Sequence, residues 1–245
     1  DGTMRRIGPV FPDGTYQAVP YAPVKNHLLD FFETGESFQN TVYITGGDAT
    51  SSIYLSASKQ STSGIVEKDT FNKTSFKFNA SKKIGKFKVG FNGNFLRDKT
   101  DVVGDDIGDQ DRTFYWFVFN TPANVPLSQY RDWENDLYSS PDGYFNAFYQ
   151  NPYWAIDTNR DIRNSDRING NSFVEWQPLE WLKLEARIGV NKFNSQGKYW
   201  RAKQDYDPVT QPYHSPVSSF VTDSESQTTI YTSNFLAKIE YDLTQ

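Results

Sequence analysis

Cysteine is absent from the 245 residues, so the chain holds neither a disulfide framework nor a thiolate metal site. Positive charge is in deficit. The formal net charge of −5 argues against nucleic acid as the partner. Long apolar runs are also missing, and nothing approaches the roughly 18 to 20 residues of a membrane helix. That last absence leaves a membrane open, because a transmembrane barrel strand needs only about 9–11 alternating residues. No signal peptide is expected within this stretch, whose first methionine is Met4, inside a polar segment rich in Gly and Pro. The chain stops at Asp242-Leu243-Thr244-Gln245, just after a strand pattern. Both ends read as cuts in a longer polypeptide.

What is present is aromatic. Only 37% of the residues are hydrophobic, yet 16% are Phe, Tyr or Trp. Such a chain carries its apolar mass as rings spaced along strands. The clearest case is Lys73 to Leu96. Thr74, Phe76, Phe78, Ala80 and Ile84 alternate with Lys73, Ser75, Lys77, Asn79, Ser81 and Lys83. Phe87, Val89, Phe91, Gly93 and Phe95 then alternate with Lys86, Lys88, Gly90, Asn92 and Asn94. A period of two means extended strand. A two-residue turn at Gly85-Lys86 sets Ile84 against Phe87, Ala80 against Phe91, Phe78 against Gly93 and Phe76 against Phe95. One face is then oily, broken near the turn by Lys82, whose stem can snorkel. The other face is wet.

In chain order, residues 1–38 read as an irregular lead-in, with Pro9, Pro12, Pro20 and Pro23 barring a central strand. Asn26 to Phe32 fits a helical turn or two. Strands are expected at Gln39 to Thr45 and Ser51 to Lys59, joined through Gly46-Gly47-Asp48. From Arg97 to about Ser165 no strand pattern persists. This insertion holds an acidic run (Asp101, Asp105, Asp106, Asp109, Asp111), an aromatic block from Phe114 to Phe119, and Asn151-Pro152-Tyr153-Trp154. So long a loop is functional or disordered, and its rings argue for order. A second hairpin follows. Ile168, Gly170, Ser172, Val174 and Trp176 face Leu182, Leu184, Ala186, Ile188 and Val190 across Pro178-Leu179-Glu180. With Trp176 opposite Leu182, Glu175 meets Lys183 and Asn171 meets Arg187. A loop from about 195 to 227 leads to a last strand, Tyr231 to Tyr241.

The connections carry the architecture. Turns at 46–50, 85–86 and 177–181 are short, whereas loops at 59–70, 97–165 and 195–227 are long. Strict alternation sends every long loop to one rim, as in outer-membrane barrels with short periplasmic turns and long outer loops. Trp176, Trp181 and Tyr241 fall near the short turns, where an aromatic girdle sits. The fold class is therefore all-β, an antiparallel transmembrane β-barrel segment of about seven strands, with residues 39–245 one partial domain. Seven strands cannot close a single-chain barrel of even count. The alternative is a soluble β-sandwich carbohydrate-binding module, which also alternates but gives no reason for long loops at one end.

Several segments in order resemble the SusC/RagA family of TonB-linked outer-membrane transporters. They are Asp30-Phe31-Phe32-Glu33-Thr34-Gly35 with Asn40 and Gly46-Gly47, then Ser63-Gly64-Ile65-Val66 with Phe71-Asn72-Lys73. Asn151-Pro152-Tyr153-Trp154, Asp166-Arg167-Ile168-Asn169-Gly170-Asn171 and Pro178 through Trp181-Leu182 continue the series. The resemblance implies a bacterial outer-membrane barrel of about 22 strands with a plugged lumen. It also implies a TonB complex engaged through an N-terminal region outside this sequence, a SusD-like surface lipoprotein as lid, and oligosaccharide or peptide cargo. No enzymatic activity is expected. The plug and TonB box are not in this sequence, so transport by this stretch alone is excluded.

Candidate residues divide by face. Lys73, Lys77, Asn79, Asn92, Asn94, Asn171 and Arg187 would line a hydrated lumen or touch the plug. Phe76, Phe78, Phe87, Phe91, Phe95, Val174, Trp176, Leu182, Leu184 and Ile188 would meet outer-membrane lipid. Tyr115, Trp116, Tyr153 and Trp154 would stack on substrate or pack against the lid, or else form the loop's own small core. No cofactor is expected. The acidic run at 101–111 invites calcium but lacks the EF-hand spacing, and nothing sets two of its acids as a glycosidase pair. His27 and His214 have no recognisable nucleophile or metal partner.

Overall fold

The computed structural model describes residues 2–108 and 111–240. Among these described residues nine strands form two antiparallel sheets. β1 (Met4–Val10) and β2 (Tyr16–Pro20) make a separate hairpin. The second sheet runs in strict sequence order: β3 (Glu36–Gly47), β4 (Ser51–Ser63), β5 (Thr70–Ile84), β6 (Phe87–Val103), β7 (Asn159–Leu179), β8 (Leu182–Arg201) and β9 (Phe220–Ile239). It is open, with β3 and β9 as its edges. Among the described residues between β6 and β7 lie two short α-helices, α1 (Phe114–Phe119) and α2 (Pro152–Thr158), and a 3-10 turn at Leu127–Tyr130.

The β5–β6 hairpin has the expected register, including Ile84 with Phe87, Ala80 with Phe91, Phe78 with Gly93 and Phe76 with Phe95. Gly85 takes a positive φ of 58° in the turn, a backbone state glycine adopts without steric cost. Lys82 reaches from the oily face to the adjacent turn, donating to Ser51 Oγ at 2.6 Å and Thr50 Oγ1 at 3.1 Å.

Other expectations are corrected. Residues 1–38 are not wholly irregular, because β1 and β2 pair. Their register breaks between Ile7 and Val10, which leaves Gly8 and Pro9 in a bulge, and a two-stranded ribbon is all edge. The helical stretch at 26–32 is a single 3-10 turn, Leu29–Phe31. Gly46 and Gly47 belong to β3, so the turn is Asp48 to Thr50. Asp48 Oδ1 organises it by accepting from Thr50 N at 2.7 Å and Ser51 N at 2.8 Å. In the second hairpin Trp176 faces Leu184, two residues from the expected Leu182, because a bulge after Trp176 moves the turn to Glu180-Trp181. Glu175 now faces Glu185 and Asn171 faces Gly189. The expected Lys183–Glu175 contact survives as a diagonal pair at 3.6 Å, while Arg187 pairs with Glu185 at 2.8 Å.

The strands also overrun the sequence-based bounds. β9 starts at Phe220 and β4 continues to Ser63. The long connections shrink to 64–69, 104–158 and 202–219, and the short ones are 48–50, 85–86 and 180–181. Their alternation holds. The added strand is polar on both faces (Ser61 and Thr62 in β4, Thr222 to Gln227 in β9), so hydrophobic alternation could not announce it.

Apolar burial sits where a sandwich would not put it. The buried core, including Phe31, Val66, Phe114, Phe117, Tyr130, Tyr144, Tyr153, Trp154 and Ile156, belongs to the connections and helices at the long-loop rim. Apolar residues of the large sheet remain open: Phe91 is 43%, Ile188 65% and Phe235 73% exposed. Among the described residues no second sheet covers them.

Candidate functional site

Register places the two predicted faces on opposite sides of the sheet. On one side, Phe87, Trp176 and Leu184 form a cross-strand row, with Phe91, Ser172 and Ile188 in a parallel row. Phe76, Phe95 and Ile168 form a third. Phe78, Val174 and Leu182 share this side by parity. Phe87 and Trp176 stack nearly parallel at 6.0 Å, and Trp181 is exposed in the turn below. Tyr241 and Asp109 lie outside the described residues. From Phe87 to Phe95 the band spans nine residues of β6, matching the roughly 9–11 that cross a bilayer.

The opposite side is polar with amides at its centre. Asn79, Asn92 and Asn171 form one row, and Asn92 Nδ2 donates to Asn171 Oδ1 at 3.1 Å. Lys77, Asn94, Asn169 and Asn191 form the next row. Lys73 lies nearer the long loops, facing Asp98. Arg187 lies nearer the short turns, opposite Phe173. Sequence reading missed Phe173 and Phe193 among the rings on this wet side. Phe173 lies under both Arg187 (5.6 Å) and Lys88 (6.0 Å), Tyr54 under Lys77 (5.8 Å) and Phe193 under Arg167 (5.1 Å). The available signal was their parity: each ring occupies a position alternation assigns to polar residues. A wall of amides, cations and half-covered rings can bind polar chains by hydrogen bonding and stacking.

Above the wall, the long connections fold into one cap. Asn151 is fully buried and holds three points together. Its Oδ1 accepts from Tyr153 N at 3.0 Å at the start of α2, and its Nδ2 donates to Tyr130 O and Ser139 O, both at 2.7 Å. Arg160 fastens the cap to the sheet from the base of β7. It donates to Asp101 Oδ1 (2.8 Å), Asp69 Oδ1 (3.2 Å) and Lys68 O (2.8 Å). Asp69 Oδ1 also accepts from Val103 N at 2.8 Å. Burial raises the Asp69 carboxyl above its ordinary range, and the Val103 N–H and Arg160 work against that rise.

The four loop aromatics separate. Tyr153 and Trp154 are 3% exposed within the cap core. Their expected role in ligand or lid binding is corrected: packing against Phe31 and its neighbours leaves them no surface to offer. Tyr115 and Trp116 are each 43% exposed. Tyr115 lies in a near-parallel series with Phe32 (6.4 Å) and Phe119 (6.0 Å), while Arg112 covers Trp116 at 5.2 Å. Nearby, Phe148 and Tyr213 stack at 5.4 Å and join two of the long connections.

The acidic run is dispersed among partners. Asp101 serves Arg160, and Asp111 lies 3.4 Å from Arg201. Among the described residues no group of three or more acids or histidines is placed to hold a metal. His27 Nε2 lies 3.3 Å from Thr121 O, and His214 stacks on Tyr206 at 4.5 Å.

No family model and no curated protein matches the chain. Solved structures do. The RagAB peptide importer in its closed-closed state matches with a TM-score of 0.66 and 18% identity over 98% of this chain. Its open-open state gives 0.64 and 18% over 90%, and a further RagAB peptide transporter structure gives 0.62 and 18% over 92%. Only 24–25% of those chains is covered, so this chain spans about a quarter of their length. At such identity the likeness is one of fold alone.

Proposed function

We propose that this segment is part of the barrel wall and outer loops of a non-enzymatic, TonB-dependent importer in the bacterial outer membrane, of the SusC/RagA kind. The observation that carries the reading is the inversion of burial. Apolar side chains are buried in the loops and open on one whole face of the sheet. An open face of this extent marks an interaction surface, and its height suits lipid. The amide-rich opposite face is the lumen lining. The RagAB likeness supports a peptide cargo over a glycan. It also supports a SusD-like lipoprotein partner, for which the exposed Tyr115 and Trp116 are the contact surface. The TonB complex acts through the plug-bearing remainder of such a transporter. The soluble sandwich lacks a covering layer among the described residues.

The test uses the full-length protein from the outer-membrane fraction, with photo-crosslinking probes at positions 115 and 213. Capture of a surface lipoprotein is the expected result. Native protein that stays in the supernatant without detergent, or crosslinks confined to its own chain, would overturn the reading.

A further inference from the structure

The β1–β2 hairpin is tied to the cap by one face. Ile7 packs against the cap core, Val19 is buried, and Gln17 Oε1 accepts from Tyr130 OH at 2.8 Å. Met4, Arg6, Ala18 and Pro20 occupy the other face and are exposed.

The ladder fixes where the remaining backbone groups point. Tyr21 N donates to Thr3 O at 2.8 Å. By register, Arg5–Val19 and Ile7–Gln17 are then the pairs that exchange hydrogen bonds. Met4–Pro20 and Arg6–Ala18 are the alternating pairs that do not, so their backbone groups point away from the partner strand. The two outer edges differ. On β2, Pro20 has no N–H to offer, and Tyr16 O accepts from Tyr138 OH at 3.2 Å. On β1, Gly8 closes one end against the cap, where an added Cβ would come within 2.9 Å of Phe145 Cα. Among the described residues no hydrogen bond reaches the outward N–H and C=O of Met4 and Arg6. Two donors and two acceptors therefore stand in strand geometry on an open edge.

Charge selects what pairs there. Arg5 and Arg6 are exposed and, among the described residues, have no ion-pair partner. Asp13, the one acid in 4–20, is engaged in the hairpin turn, accepting from Thr15 N at 2.9 Å. An unpaired edge takes up an extended peptide through main-chain hydrogen bonds, and alternate side chains give specificity. A basic peptide would set like charges across the new pair.

We propose that the β1 edge binds an extended acidic peptide as a third, antiparallel strand, with a carboxylate on the residue opposite Arg6. This inference rests on the reading that the cargo is peptide.

The full-length protein in mild detergent is offered a fluorescent hexapeptide of alternating Glu and Val, and affinity is read by anisotropy. A Glu opposite Arg6 in an exchanging pair shares the arginine's face and turns its own N–H and C=O to β1. N-methylation of the Glu residues should therefore abolish binding, and N-methylation of the Val residues should leave it intact. Gln in place of Glu should weaken binding about threefold, a difference that Arg6→Gln removes. Met4→Pro deletes one outward N–H, spares the hairpin's own ladder and should weaken binding about fivefold. Bound peptide should also slow amide exchange at Met4 and Arg6. Heat-modifiable migration on gels verifies that each variant still forms a barrel. Slow exchange at both amides before peptide is added overturns the proposal, because upstream chain or a second copy then covers the edge. Binding that Glu methylation and Met4→Pro both leave intact also overturns it. A random hexapeptide library separates the two levels. Retention of library peptides without the Glu-Val peptide sinks this site alone, and retention of none sinks the peptide-cargo reading with it.

Discussion

Arg160 shows how single residues set the geometry of the cap. Its guanidinium is 9% exposed and joins Asp101, Asp69 and the Lys68 carbonyl, which come from β6 and the 64–69 connection. Replacement by Met would leave two carboxylates without their cation. Breaking a fully buried pair costs about 3–5 kcal/mol; with Asp101 28% exposed, roughly 2–3 kcal/mol is expected here. Arg160→Met should therefore accelerate amide exchange and proteolysis in 64–69 and 104–158 while the strands stay protected. Asp69 adds a pH dependence of known sign. Its folded pKa is raised by burial, so ionisation costs the folded loop stability, and that cost grows as pH rises through the folded pKa. In Arg160→Met only the Val103 N–H still opposes that cost, so lowering the pH should restore part of the protection. Protection equal to the parent at neutral pH would show that Arg160 does not fasten the cap.

At the scale of elements, the legible parts were those where hydrophobicity alternates. The β5–β6 hairpin was readable residue by residue, because its faces differ at every step and Gly85 marks the turn. The β7–β8 hairpin was readable in face but not in register. Pro178 suggested the turn, whereas the chain uses Trp176 to Leu179 as a bulge and turns at Glu180-Trp181. A shift of two residues preserves sidedness, which is why the residues expected on the oily face still share one side of the sheet. The polar upper ends of β4 and β9 were invisible, and Tyr153 and Trp154 stayed open between surface rings and loop core because composition does not report burial. Arg160 carried no local signal at all, since its partners lie 59 and 91 residues away. The turn at 48–50 yields a prediction of its own. Hydrogen bonds, first from the Thr50 side chain, hold the Asp48 carboxyl down at about 2 against an ordinary 3.8. The turn's stabilisation is then full above the ordinary value and lost as pH falls through about 2. Amide exchange at Thr50 and Ser51, corrected for intrinsic rate, should accelerate over that window and be fast at all pH in Asp48→Ala. Exchange insensitive to both changes would contradict the assignment.

At the scale of the whole molecule, the account depends on which side of the sheet meets lipid. A sheet with an oily face, an amide-lined face and a cap built from every long connection is intelligible as barrel wall. Its polar strand ends then stand above the membrane and support the cap. Phe91 and Asn92 are adjacent in β6 and point to opposite sides, which makes them the sharpest pair of probes. Environment-sensitive reporters at positions 91 and 92 of the full-length protein, read with depth-sensitive lipid quenchers, test the claim most directly. The account predicts quenching from near mid-bilayer at position 91 and none at position 92. Water at both positions, or lipid at position 92 alone, would contradict it.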